Sequence, residues 1–373
     1  MLAIALLGCG GGNAHGHTPG RRRSADRYAA LLARLSTTQL AGQRVIYAYA
    51  GLKPPRSLLT RIRHGEAAGV IFFADNIESL GQLHRVARTL QRAAAVSPVD
   101  LPLLLMTDQE GGLVRRLPGE PSLSEKRIGE GRDAPAKASE AGAGAAATLA
   151  GAGLNVNLAP VLDVFRRAGN FIDEFQRSYG ESAPSVGELG AAFIAAQQRA
   201  GVAATAKHFP GLGAAERNQN TDEVPVTIAS PRRTLRDVDE LPYHQAIAAG
   251  VRLVMTSWAI YPALDATLPA GMSSTVIEGE LRGRLRFSGV TITDSLGAGA
   301  LETFGGFAGR GVLAAAAGAD LLMCTGRSPA QDTPTEGESV LRGVTRALHD
   351  GALPRTSAVR AAQRVLTLRN SLD

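Results

Sequence analysis

The chain has 373 residues, of which 45% are hydrophobic and 20% charged, with mean hydropathy near zero and a formal charge of +6. That is a globular balance with ample length for a core, and no run reaches the roughly 18 apolar residues of a membrane helix. Two cysteines cannot build a disulfide framework or a cysteine zinc site, and scattered arginines with no zinc-finger spacing or aromatic RNA-binding signature argue against nucleic acid.

In chain order, the apolar opening Met1–Leu7 is too short for a complete signal peptide. It ends in Leu6-Leu7-Gly8-Cys9, which resembles a bacterial lipobox, and a Gly/His/Asn-rich spacer follows to about Gly20. Residues 1–20 are therefore expected to be a partial lipoprotein signal and tether. A lipid on Cys9 would then place the protein at the cell envelope. Residues 21–373 read as one catalytic domain, with no strong internal repeat or Pro/Ser-rich linker within residues 40–373.

From there one rhythm repeats: a short Val/Ile/Leu run, a polar or glycine end, then an Ala/Leu/Arg segment of helical character. The predicted strands are 44–49, 69–73, 103–107, 155–158, 203–206, 253–256, 290–293 and 320–324. Predicted helices include 134–152, 185–200, 241–249, 276–285 and 311–317, and Gly201, Gly250 and Gly318 stop three of them. Eight apolar strands alternating with helices predict an α/β fold, a closed (β/α)8 TIM barrel. An open doubly wound sheet is the alternative, but no phosphate-binding glycine turn follows the first strand. Cys324, in an apolar run, reads as a buried core thiol.

A barrel carries its chemistry at the C-terminal strand ends. Those ends hold Asp75-Asn76, Thr107-Asp-Gln-Glu-Gly-Gly112 with Arg115-Arg116, Asp163 with Arg177, Lys207-His208, Ser257-Trp258 and Asp294-Ser295. Carboxylates and cations beside an aromatic side chain suit a sugar, and the set calls for neither a metal nor a cofactor. Each residue also has a plain structural reading. Asp108 and Asp294 could cap helices, and His208 or Trp258 could be core. The Gly111-Gly112 pair favours function, since it lets backbone approach a ligand. Lys207 stands out because the chain has four lysines against 36 arginines. A compact ammonium is expected where a planar fork does not fit.

Together these stretches resemble glycoside hydrolase family 3, in its single-domain β-N-acetylglucosaminidase (β-hexosaminidase) branch. The resemblance rests on Gly69-Val-Ile-Phe-Phe73, Thr107–Gly112, Leu158-Ala-Pro-Val-Leu-Asp163, Arg177-Ser-Tyr179, Lys207-His-Phe-Pro-Gly211, Tyr261-Pro262 and Phe287–Asp294. It spans about residues 40–330, and the actinobacterial lipoprotein members look most similar. It implies a barrel that removes terminal non-reducing N-acetylglucosamine with retention, from cell-wall fragments or chitin-type oligosaccharides. It also implies Asp294 as nucleophile, with Asp108, Arg116, Arg177, Lys207 and His208 on the substrate. A monomer is expected.

One loop departs from that pattern. The branch usually carries its acid/base as a histidine, two residues after an aspartate, on the loop following Lys-His-Phe-Pro-Gly. Here no histidine lies between His208 and His244, and Asn220-Thr221-Asp222 occupies the place. Asp222 is the expected acid/base, with Glu216 and Glu223 as alternatives. The competing functions are a β-glucosidase or β-xylosidase and a catalytically weak glycan-binding lipoprotein. The first usually carries a further α/β domain, whereas only about 50 residues follow the last predicted strand.

Overall fold

The computed structural model describes residues 28–372, so the lipobox, Cys9 and the spacer lie outside the described residues. Eight parallel strands close into a barrel in sequential order. They are β1 Val45–Tyr47, β2 Gly69–Ile71, β3 Leu104–Thr107, β4 Val156–Asn157, β5 Ala203–Phe209, β6 Leu253–Thr256, β7 Val290–Ser295 and β8 Leu321–Cys324. Closure is made by β1 against β8, pairing Val45 with Leu322, Ile46 with Met323 and Tyr47 with Cys324. That ring excludes the open doubly wound sheet.

The apolar runs fold this way because both strand faces are covered. Ile46, Met106, Leu253, Met255, Ile292 and Leu321 fill the barrel interior. Their neighbours Val45, Tyr47, Leu105 and Leu322 pack outward against helices, as does Val254 on the other side. The alternation is the two-residue period of a strand, and an uninterrupted apolar run satisfies both faces at once. Cys324 is fully buried in the outward layer, where burial pushes its thiol well above its usual value.

The predicted helices are present at Ala134–Gly151, Ala183–Arg199, Leu241–Ala248 and Phe307–Ala317. The last ends on Gly318, whose φ of 110° only glycine adopts without strain. The fifth, Thr275–Arg284, is wound with i→i+5 hydrogen bonds rather than as a regular α-helix.

The C-terminal helix Arg355–Asn370 closes the barrel floor. Its Val365 and Leu368 join the interior cluster. Buried Arg369 donates to the carbonyls of Leu101 (2.6 Å) and Pro102 (2.7 Å) and to Gln43 Oε1 (2.5 Å), all ahead of strand starts. Arg364 grips Asp320, just before β8, at 2.7 Å. With the floor plugged, the C-terminal mouth is the accessible end.

Candidate active site

The mouth holds a cavity of about 580 Å³ lined from several strand ends. Asp108, Arg116, Arg177, Lys207, His208, Asp222 and Asp294 all line it, although they come from five segments of the chain.

Its floor is a buried charge cluster. Lys207, at the end of β5, places Nζ 2.6 Å from Asp108 Oδ1 and 2.7 Å from Glu110 Oε1. Arg177 closes a two-point fork on Glu110, Nε to Oε2 at 2.9 Å and Nη2 to Oε1 at 2.8 Å. Burial alone would raise the Glu110 carboxyl, but the Arg177 and Lys207 charges overcome it and hold the group at about 2. Burial likewise opposes ionisation of Asp108, and Lys207 with Arg116 outweighs it, so its pKa is lowered. Burial would deprotonate Lys207, yet the two carboxylates raise its pKa instead. The ammonium therefore stays charged with a third N–H available to a hydroxyl. Lys207 is 2% exposed, which leaves no slack for the larger arginine fork.

His208 is oriented by a residue the sequence reading left without a role. Its Nδ1 donates to Asp163 Oδ2 at 2.7 Å, and Asp163 Oδ1 accepts the backbone N–H of Leu212 at 2.7 Å. That contact fixes the tautomer and turns Nε2 toward the pocket, 3.4 Å from Arg177 Nη2. Glu110 was missed in the same way. Its signal was present, since Asp108 and Glu110 are two residues apart at a strand end and so share a face.

On the opposite wall Asp294 follows the apolar part of β7. Its Oδ1 accepts the Ser295 N–H at 2.7 Å. Ser295 is itself fixed by Thr325, whose hydroxyl donates to Ser295 Oγ at 2.6 Å, and by Trp258, whose indole N–H donates to Ser295 O at 2.7 Å.

Asp222 reaches the pocket on the loop after β5. Two backbone bonds dock that loop on the segment following Asp294, from Gly299 N to Asp222 O at 2.7 Å and from Ala300 N to Thr221 O at 3.0 Å. The approach requires glycine at 299, because a Cβ there would meet Glu223 O at 2.0 Å. Asp222 keeps exposed surface, and that surface faces the cavity. Crowding by the walls raises its carboxyl from 3.8 to about 6, and the negative charge of Asp294 adds to the rise. Glu216 and Glu223 are exposed and do not line the cavity. Glu216 lies 3.4 Å from Arg167, and Glu223 accepts from Asn220.

One open alternative is decided and one expectation corrected. Trp258 takes its core reading: it is 1% exposed, sits in the hydrophobic core and points its N–H at Ser295. The aromatic surface in the cavity wall comes from Phe73, Phe171 and Phe175 instead. Gly111 and Gly112 do not open room for a ligand. A Cβ on Gly111 would strike Leu123 O at 2.2 Å, and one on Gly112 the Ser124 side chain at 2.5 Å, so the pair lets the chain pack on itself.

Residues 34–368 match the glycosyl hydrolase family 3 N terminal domain. The chain belongs to that family. An uncharacterized secreted glycosyl hydrolase of Arthroderma benhamiae is 46% identical over 335 residues, 89% of this chain and 93% of the relative. A beta-hexosaminidase of Pseudomonas aeruginosa is 34% identical over 276 residues, 72% of this chain and 79% of the relative. Among solved structures, a family 3 beta-N-acetylglucosaminidase from Paenibacillus sp. superposes with a TM-score of 0.83 at 34% identity. That match covers 91% of this chain but 63% of the longer Paenibacillus chain. In this family member the cavity at the barrel mouth brings a cation cluster and two aspartates together.

Proposed function

We propose that this family 3 member is a retaining exo-β-N-acetylglucosaminidase, acting on cell-wall fragments or chitin-type oligosaccharides. The observation that carries the reading is the shared cavity: Asp294 and Asp222 on one side, and the Asp108–Lys207–Glu110–Arg177–His208 cluster on the other. The similarity to the beta-hexosaminidases supports the choice of sugar.

In this reading Lys207, Asp108, Arg177, His208 and Arg116 hold the hydroxyls of the terminal sugar. Asp294 attacks the anomeric carbon as Asp222 gives its proton to the leaving oxygen, and the aglycone departs as an alcohol. Asp222, now ionised, takes a proton from water. As that proton leaves, the water oxygen bonds to the same carbon and releases Asp294, so Asp222 is protonated again for the next cycle. A fixed carboxylate nucleophile and a carboxyl held near 6 are the division of labour such chemistry needs. The secreted relative supports a place outside the cytoplasm, and a lipid on Cys9 belongs to the same reading.

A panel of aryl β-glycosides tests the substrate. The N-acetylglucosaminide is expected to exceed the glucoside and xyloside in kcat/KM by at least about 100-fold, a floor beneath the roughly 10⁴-fold by which a site built around a polar group rejects an analogue lacking it. Equal rates would point to a glucosidase or xylosidase, and sugar binding without turnover to a glycan-binding role.

Lys207→Arg tests the floor. Forcing the fork between two buried carboxylates is expected to lower kcat/KM by about 10- to 100-fold. The loss should fall on kcat as well as KM, since hydroxyl contacts tighten in the transition state. Wild-type kinetics in that variant would remove Lys207 from substrate recognition.

A further inference from the structure

Behind the charge cluster lies a buried acid that the reaction above does not use. Glu125 is 1% exposed and opens the short helix Glu125–Gly129. Its Oε1 accepts the backbone N–H of Val161 at 2.9 Å, while Oε2 has no hydrogen-bond partner among the described residues. Val161 is bridged in parallel to Lys207, and the next residue, Leu162, donates its N–H to Lys207 O at 2.7 Å. The carboxyl thus holds the backbone against which Lys207 is mounted.

The same helix braces the loop that carries Arg177. Lys126 Nζ meets Asp173 Oδ1 at 2.5 Å, and the Ser124 hydroxyl donates to Gln176 Oε1 at 3.0 Å. Tyr179 lies so close that a Cβ on Gly129 would meet its carbonyl at 1.8 Å. One helix therefore touches the supports of both cations that grip Glu110.

We propose that Glu125 is a positioning residue for the sugar-binding floor: as a hydrogen-bond acceptor for Val161 it sets Lys207, and through its helix it keeps Arg177 in register with it. The role calls for an acceptor oxygen at full side-chain length and not for a charge. Burial pushes the Glu125 carboxyl well above its usual range, and the neighbouring Glu110 charge pushes the same way. A neutral acid suits the spot, since a second anion would compete with Glu110 for Lys207 and Arg177.

The inference rests on reading the Lys207 cluster as the sugar-binding floor. Its test uses whichever aryl glycoside the wild type turns over fastest, so an error in the choice of sugar shows in the wild-type panel and leaves this test intact. Glu125→Gln keeps the acceptor and is expected to stay within about twofold of wild type. Glu125→Asp, one methylene short of Val161, and Glu125→Ala are expected to lose about 10- to 100-fold in kcat/KM, as a displaced contact does. Melting curves identify folded variants, and if Glu125→Ala does not fold, the Gln and Asp pair decides. Rescue by Gln but not Asp is the supporting result, since a general packing role would not separate them so. Wild-type kinetics in Glu125→Asp, or a Gln variant as impaired as the Asp variant, would overturn the proposal.

Discussion

Asp294→Asn is expected to lower turnover by about 10⁴-fold or more, the scale at which loss of a covalent nucleophile is felt. The amide fits the same space and can still receive the Ser295 N–H, so folding should survive and melting temperature should change little. What is lost is the carboxylate that bonds to the anomeric carbon and offsets the positive charge developing there. A 2-deoxy-2-fluoro aryl glycoside, which forms the glycosyl-enzyme and hydrolyses it slowly, should trap the intermediate. Mass spectrometry of the digested protein is then expected to place the label on the peptide containing Asp294. Label on Asp222 or Asp108 would reassign the nucleophile. A fully active Asn variant would remove the covalent step.

The barrel was legible because buried parallel strands read as continuous apolar runs, and all eight fell where such runs lie. The extents were less legible. β5 continues through Lys207 to Phe209, past the last small apolar residue, because Lys207 and His208 find buried carboxylate partners and need no solvent. The short hairpin of Gln109–Gly111 with Val114–Arg115 carries no alternation and was invisible. It is held by Gln109, whose amide exchanges hydrogen bonds with Leu117. The strand-end residues were legible as a set, since the C-terminal mouth of a barrel gathers them whatever their order in the chain. Their orientations were not. Trp258 sits at a strand end but turns inward, because Ser295 O accepts its N–H and Gly271 leaves it space: a Cβ there would meet the ring at 2.5 Å. Glu125, following Ser124 at a helix start, looks like an ordinary capping sequence. Its partner Val161 is 36 residues away, and no local pattern announces such a bond.

The docking of the Asp222 loop is of the same long-range kind, and it carries the second large effect. Asp222 was the expected acid and Glu216 and Glu223 its alternatives on the same loop; the bonds from Gly299 and Ala300 hold that loop so that, of the three, Asp222 lines the cavity. If Asp222 is the acid/base, Asp222→Ala is expected to lose about 10²- to 10⁴-fold on substrates with poor leaving groups, the usual worth of general acid catalysis. An activated aryl glycoside needs no proton to depart, so its first step should survive while release of the sugar from Asp294 still lacks a base. Added azide attacks without a base. It should restore turnover of the activated substrate and yield a β-glycosyl azide of retained configuration. The pH profile supplies an independent check. Asp222 must be protonated when the aglycone leaves, and its pKa is raised to about 6. Wild-type kcat/KM should therefore fall on the alkaline side from about pH 6, and that limb should vanish in the variant with an activated leaving group. Glu216→Ala and Glu223→Ala, whose side chains lie outside the cavity lining, should keep wild-type rates on both substrate types. Equal loss on all leaving groups without azide rescue would strip Asp222 of the role and return the search for the proton donor to the other groups facing Asp294.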